Sequence, residues 1–248
     1  KYIIDAGGEV RFHTKLEDIV YEESGQERRL SALRISDTLD AESKDLDVSV
    51  AVLAVGHSAR DTFEVLYRRG IPMEAKAFAV GVRIEHQQSM IDRSQYGMDR
   101  SASLPAASYK LTQKLENGRG VYTFCMCPGG YVVNATSEEG RLAVNGMSYH
   151  ARDGRNANSA VIVTISPQDY GDGSPLSGIA FQRDLEERAY KSGSGKIPVQ
   201  LFGDFCQKKI TKCLGEIVPQ IRGSYVFGDV RGIFPPYISE AVEEGILA

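Results

Sequence analysis

Cys125 and Cys127, one residue apart in VYTFCMCPGGYVV, are the side chains of this sequence best suited to covalent chemistry. On a regular strand both sulfurs fall on one face, with Met126 on the other. Thiolates at such a place act as nucleophiles or redox partners when a nearby cation lowers their pKa. Otherwise they are small apolar strand residues, since free cysteine is among the most buried residue types. A disulfide across a single intervening residue closes a small, strained ring that a regular strand resists. A structural zinc site needs four nitrogen or sulfur ligands. Cys206 and Cys213 lie apart from this pair and the four histidines are scattered singly, so the spacing points away from a metal.

Pro128, Gly129 and Gly130 follow directly. Adjacent glycines permit positive φ and remove Cβ atoms, so backbone can approach a flat ligand closely; a tight turn asks for the same residues. Asn156, Asn158 and Ser159 stand just before an apolar run. They could hydrogen-bond the polar edge of a ligand, or satisfy loop backbone as Asx turns. Gly56, His57 and Ser58 lie between an apolar run and a helical pattern, where exposed backbone N–H groups and the positive helix end favour an anion. His86 ends a strand pattern. No Ser-His-Asp order and no carboxylate pair supports hydrolysis.

The elements that must position these residues are readable in part. Val10–Phe12, Asp18–Tyr21, Leu30–Ile35 and Val48–Val55 read as strands. The last of these is continuously apolar, as a strand buried on both faces of a parallel sheet would be. Ala59, Thr62, Phe63, Leu66 and Tyr67 recur at helical spacing, with Ser58 and Asp61 as a capping-box-like start. Gly70 sits where a C′ glycine belongs. Phe78–Glu85 alternates as a strand, and HQQSMIDRSQYG reads as polar and turn-rich. GVYTFCMC, YVVNAT and RLAVNGMS read as a three-stranded meander. A polar loop through Arg152–Asn158 then precedes a strand over Ala160–Ile165. Leu176–Tyr190 and Phe205–Leu214 read as helices. Pro235-Pro236 starts another over Tyr237–Glu244, with Gly245 past its end.

The 248 residues are 42% hydrophobic and 25% charged, enough for a substantial core and two domains. A net charge of −4 disfavours nucleic acid, which needs a concentrated basic stripe. No window approaches a membrane span and no signal-peptide pattern follows Lys1. Sparse cysteines make a reducing cytoplasm the expected compartment. Both ends read as cuts through a larger protein.

AVLAVGHSARDTFEVL, VRIEHQQSMIDRSQYG, YKLT and GVYTFCMCPGGYVVNATSEEGRLAVNGMSYHARDGRNANSAVIV together resemble the uncharacterised bacterial FAD-dependent (NAD/FAD-utilizing) dehydrogenase-like family. The resemblance spans nearly the whole chain, and CMCPGG and NANSA are its specific segments. It implies an α/β fold of α+β character. Residues 1–70 would be part of an FAD-binding domain (β-meander, buried strand, helix), 71–227 an inserted, largely antiparallel substrate or cap domain, and 228–248 a return segment. It implies FAD as the cofactor of the parent, NAD(P) as an electron donor, an unknown small-molecule substrate, and the remaining FAD-domain segments of the same parent chain as partners. Cys125 and Cys127 become candidates for catalysis. Gly56, His57, Ser58, Pro128, Gly129, Gly130, Asn156, Asn158 and Ser159 become candidates for contact with the cofactor. Two departures stand out. His86-Gln87-Gln88 replaces the family's His-Pro-Gln, which concerns local loop shape. No GxGxxG and no flavin-closing C-terminal segment occurs, so the chain alone is expected to bind FAD weakly or not at all and to lack activity. A noncatalytic ligand-binding or protein-interaction module, docking through the meander, is the rival expectation.

Overall fold

The computed structural model describes residues 1–25, 27–101 and 103–248, which divide into two compact units, Lys1–Glu74 and Ala75–Ala248. The first opens with a helical turn, α1 (Tyr2–Asp5), followed by an antiparallel meander of β1 (Thr14–Ser24), β2 (Glu27–Asp37) and β3 (Ser43–Asp47), and then α2 (Arg60–Arg68). β1 and β2 form because apolar residues face one side: Ile19, Ala32 and Ile35 are buried, joined by Leu66 of α2. The Arg69 guanidinium ties the end of α2 to Asp18 on β1. Gly70 has φ +72°, the left-handed geometry of a helix-ending glycine.

Three expectations fail in this unit. Residues 8–11, covering most of Val10–Phe12, are not strand, and the meander's third strand is the polar Ser43–Asp47. The run from Val48 to Val55 carries no regular secondary structure; Val50 is 78% and Val52 88% exposed. The buried strand expected there needs hydrogen-bonding neighbours on both sides. The unit's one sheet ends at β3, and no described strand offers that segment a ladder. Ser58 and Asp61 also form no capping box: α2 has no side-chain cap, and the Asp61 carboxylate accepts the Thr62 N–H and pairs with Lys15.

The second unit begins with β4 (Phe78–Gln87), α3 (Gln88–Tyr96), β5 (Thr112–Lys114), β6 (Gly120–Cys127), β7 (Gly130–Asn134), β8 (Val144–Ser148) and β9 (Asn156–Ile165). It continues through α4 (Pro167–Tyr170), α5 (Ser177–Ser192), β10 (Ile197–Val199), α6 (Phe202–Cys206), β11 (Ile221–Arg222), β12 (Tyr225–Phe227), a 3-10 turn at Arg231–Ile233 and α7 (Pro236–Leu247). Its main sheet is antiparallel in the order β4-β9-β6-β5; a second has the order β11-β7-β8, and β10 pairs with β12. Mixed helices and several antiparallel sheets make this an α+β fold.

Alternation decides what each face of the main sheet meets. Val80 and Val82 of β4, Val161, Val163 and Ile165 of β9 and Val121 of β6 share one face, which packs with Leu185 and Ala189 of α5 and Ile238, Ala241 and Val242 of α7. Burying Ile238 and Val242 fully stabilises by roughly 1.5–3 kcal/mol each. Residues 228–248 thus belong to this unit and supply part of its core. α7 runs through Gly245 rather than ending before it, because the missing Cβ lets the helix close on Val121.

Other boundaries differ for tertiary reasons. β6 and β7 do not pair, so no three-stranded meander forms; the chain turns a corner at Pro128-Gly129 from one sheet into the other. HQQSMIDRSQYG is mostly helix α3, closed by Gly97 at φ +69°. β9 starts at Asn156, inside the expected loop, and α6 begins at Phe202 and ends at Cys206. Gln87 takes φ −64° and ψ 132°, within the range a proline ring imposes, so its replacement of proline leaves the backbone path intact.

Candidate functional site

The corner after β6 and the polar face behind it gather most of the sequence-predicted residues. Phe124 pairs with Ala160 and Cys127 with Asn158, so Cys125 and Met126 together oppose Ser159 in a β-bulge. Cys125 has φ +46°, the conformation a glycine usually supplies at such a bulge, at a cost of roughly 1–2 kcal/mol for a residue bearing a Cβ. The bulge removes the regular strand on which the two sulfurs were expected to share a face. It leaves Cys125 exposed and Cys127 half-buried, with the Cys127 Sγ 3.3 Å from the Cys125 carbonyl oxygen, to which it donates.

Arg83 organises this tip. It stands on β4 in the register row of Ala160 and Phe124, on the face opposite the apolar core. Its Nε donates to Asn158 Oδ1 at 2.8 Å and its Nη1 to Asn145 Oδ1 at 3.1 Å. Its Nη2 donates to the Cys125 carbonyl at 2.7 Å and lies 3.5 Å from the Cys127 sulfur. All these acceptors are neutral. Burial pushes the Arg83 pKa down, with the two cysteines opposing that shift, and burial pushes the Cys127 thiol up while Arg83 opposes it. A guanidinium has five N–H donors; four are used, so one on Nη1 has no partner among the described residues. The cluster therefore carries one uncompensated positive charge beside an exposed aromatic, Phe124, and an exposed thiol.

Asn156, Asn158 and Ser159 are buried strand residues rather than loop residues. Asn158 holds Arg83, and its own Nδ2 is buried without a hydrogen-bond partner among the described residues. The Asn156 amide donates to the Val218 carbonyl at 2.9 Å and to Glu85 at 3.4 Å, while its backbone N–H donates to Gln220 Oε1. Burial raises the Glu85 pKa, and the Gln220 N–H and the Asn156 amide pull it back. Ser159 Oγ lies 3.4 Å from the Phe124 carbonyl. On its side of the sheet, His86 and Tyr109 approach with ring centroids 5.4 Å apart; burial lowers the His86 pKa, and its Nε2 has no hydrogen-bond partner among the described residues.

Pro128, Gly129 and Gly130 are buried under this tip. Gly129 has φ +51°, and a Cβ there would lie 2.2 Å from the Arg152 carbonyl oxygen. Its N–H donates to Gln88 Oε1 at 2.8 Å, and its carbonyl accepts the Gly154 N–H. Gln88 is fixed in turn by its amide N–H donors to Asp92 and to the Ala107 carbonyl. In the first unit, Gly56 (φ +71°) has open space where a Cβ would be, His57 and Ser58 are exposed, and a 3.3 Å contact joins Ser58 Oγ to His57 Nε2.

Sequence reasoning missed Arg83, Gln88, Asn145 and Gly146. Arg83 had a signal: with Glu85 it is one of two charged residues on the polar side of FAVGVRIE, where β4 is otherwise apolar or small up to Ile84. Gln88 and Gly146 had none, because their partners are distant in sequence. Among the described residues no group of three or more His, Cys, Asp or Glu side chains is placed to hold a metal ion, and no helix is long and apolar enough to cross a membrane.

Comparison with known proteins places the cluster in a family. The chain is 49% identical over 245 residues, 97% of its length, to an uncharacterised protein of Clostridium beijerinckii, and spans 44% of that relative. Residues 77–248, which contain the whole Arg83 cluster, match the family described as FAD-dependent protein, C-terminal domain-like, and the chain belongs to that family.

Proposed function

We propose that this chain is the substrate or cap domain, with part of the flavin domain, of an FAD-dependent, dehydrogenase-like oxidoreductase. Family membership supports the cofactor class, and the observation that carries the reading is the Arg83 charge displayed at the exposed, bulged tip Phe124–Cys127. FAD, when bound, supplies the hydride and electron chemistry. The donor set suits a planar, anionic group: Arg83 offers a free N–H and a positive charge, and Phe124 an apolar face. Pro128, Gly129 and Gly130 shape the tip from beneath, Asn158 holds Arg83, Ser159 reaches the Phe124 carbonyl, and Asn156, fixed by Val218 and Glu85, is the further proposed polar contact. Gly56, His57 and Ser58 are the proposed cofactor contacts of the first unit, on the turn that leads into α2, where Gly56 leaves open space and His57 and Ser58 are exposed. The exposed apolar run from Val48 to Val55 joins a parallel sheet completed by other segments of the parent, and without them the chain is inactive.

Full-length protein carrying this sequence should purify yellow, with flavin absorption bands. A colourless protein overturns the reading. Phe124→Ala should lower retained FAD several-fold while leaving the fold intact; unchanged FAD content would remove the tip from the cofactor site.

A further inference from the structure

The regular-strand objection to a Cys125–Cys127 disulfide does not hold at the bulge. Cys125 sits in left-handed backbone with its thiol exposed, and the next residue but one folds its sulfur back to 3.3 Å from the Cys125 carbonyl oxygen. Arg83 Nη2 bridges the same two atoms, the carbonyl at 2.7 Å and the Cys127 sulfur at 3.5 Å. Strained backbone kept in place by a half-buried cation is where a functional group is expected, and Arg83 stands where it can stabilise charge that develops on the Cys127 sulfur during exchange. The remaining cysteines, Cys206 and Cys213, have no comparable arrangement among the described residues: Cys213 is exposed, and Cys206 lies on α6, where burial and then the neighbouring Glu243 raise its pKa.

We propose that Cys125 and Cys127 are a redox dithiol whose substrate class is small-molecule disulfides, with the exposed Cys125 as the attacking thiol and Cys127, held by Arg83, as the resolving thiol. In the first step the Cys125 sulfur, having lost its proton to solvent, attacks one sulfur of a disulfide RSSR. The S–S bond breaks, a mixed disulfide forms on Cys125, and one RS⁻ leaves and takes up a proton. In the second step Cys127 loses its proton and attacks the Cys125 sulfur, expelling the second RS⁻, which is protonated in turn. The protein dithiol is oxidised by two electrons and RSSR is reduced to two RSH. Burial, which holds Cys127 protonated until it is needed, suits the resolving role. The small ring is strained, so the product is readily reduced again, as labile rather than structural disulfides are. The exchange uses the two sulfurs and an external disulfide alone, so its outcome is independent of FAD binding.

The test uses the wild-type chain and oxidised glutathione. Free thiols are titrated in denaturant after the folded, reduced protein has been exposed to excess glutathione disulfide and desalted. The four free cysteines should fall to two. The tryptic peptide spanning 120–141 should carry an internal disulfide, and dithiothreitol should restore all four thiols. In Cys127→Ser the reaction should stop at one glutathione adduct on Cys125. Four thiols surviving in the wild type, loss confined to Cys206 and Cys213, or a wild-type adduct on Cys125 that never closes would each overturn the proposal.

Discussion

Gly146 of β8 lies against Arg83 of β4 so closely that a Cβ on the glycine would fall 2.2 Å from Arg83 Nη2, and equally close to Asn158 Oδ1. The second sheet therefore reaches the polar face of the first only because this position has no side chain. Arg83 in turn links β9, β8 and the bulge of β6, so one contact carries the geometry of the whole tip.

Gly146→Ala should displace the guanidinium from its partners. Overpacking of this kind costs about 1–3 kcal/mol, read as a lower urea midpoint with the slope unchanged. The same variant should raise the reactivity of Cys127 toward a thiol reagent, since the sulfur loses its cover. Unaltered stability and thiol reactivity would show that β8 can yield without disturbing Arg83.

Gly245→Val tests the opposite face. The Cβ of any residue there meets Val121 Cγ1 at 2.5 Å, a side chain only 2% exposed. A loss of about 1–3 kcal/mol is expected by the same overpacking rule, checked by thermal or urea unfolding. Shortening the partner with Val121→Ala in the double variant should recover part of it, because the clash is pairwise.

Gln88→Leu should leave the Gly129 N–H buried without an acceptor, and free the Asp92 carboxylate and Ala107 carbonyl from its amide. An unsatisfied buried donor costs about 1–3 kcal/mol. Amide hydrogen exchange at Gly129 should accelerate while that at Val163, in the core of β9, stays slow.

Asp169 sets a pH dependence. The Arg119 guanidinium, 2.7 Å away, lowers its pKa to about 2, helped by the Ser166 N–H and hydroxyl and opposed by partial burial. A folded-state pKa below the unfolded one means stability that is complete above the unfolded value and is lost as pH falls through the folded value. The pair should therefore contribute about 2 kcal/mol at neutral pH, decaying between roughly pH 4 and pH 2. Asp169→Asn should unfold at lower temperature than wild type at pH 7, and the two melting curves should converge near pH 2.

The boundary between what was readable and what was not follows interaction range. The β1–β2 hairpin, β4, and helices α2 and α5 were legible, because their alternation or helical period and a helix-ending glycine such as Gly70 are local. The continuous apolar run of Val48–Val55 was read as buried, yet β pairing depends on neighbours, and here none of the described strands supplies them. α3 was hidden by its polar composition; its buried Gln88 and Asp92 are polar residues satisfied by Gly129 and Ala107, contacts no local pattern reveals.

The same division runs through the tip. From sequence alone came the CMCPGG segment as the place to look, the α+β class, and the FAD-dependent family, since residue types and motif order are local properties of the chain. Tertiary structure alone decided that Cys125 occupies a bulge, that Gly129 is packed against Arg152, that Asn158 holds Arg83, and that Gly146 and Gly245 make room for partners far away. Close packing and burial of a charge are properties of two or more segments brought together, and no single stretch of sequence contains them.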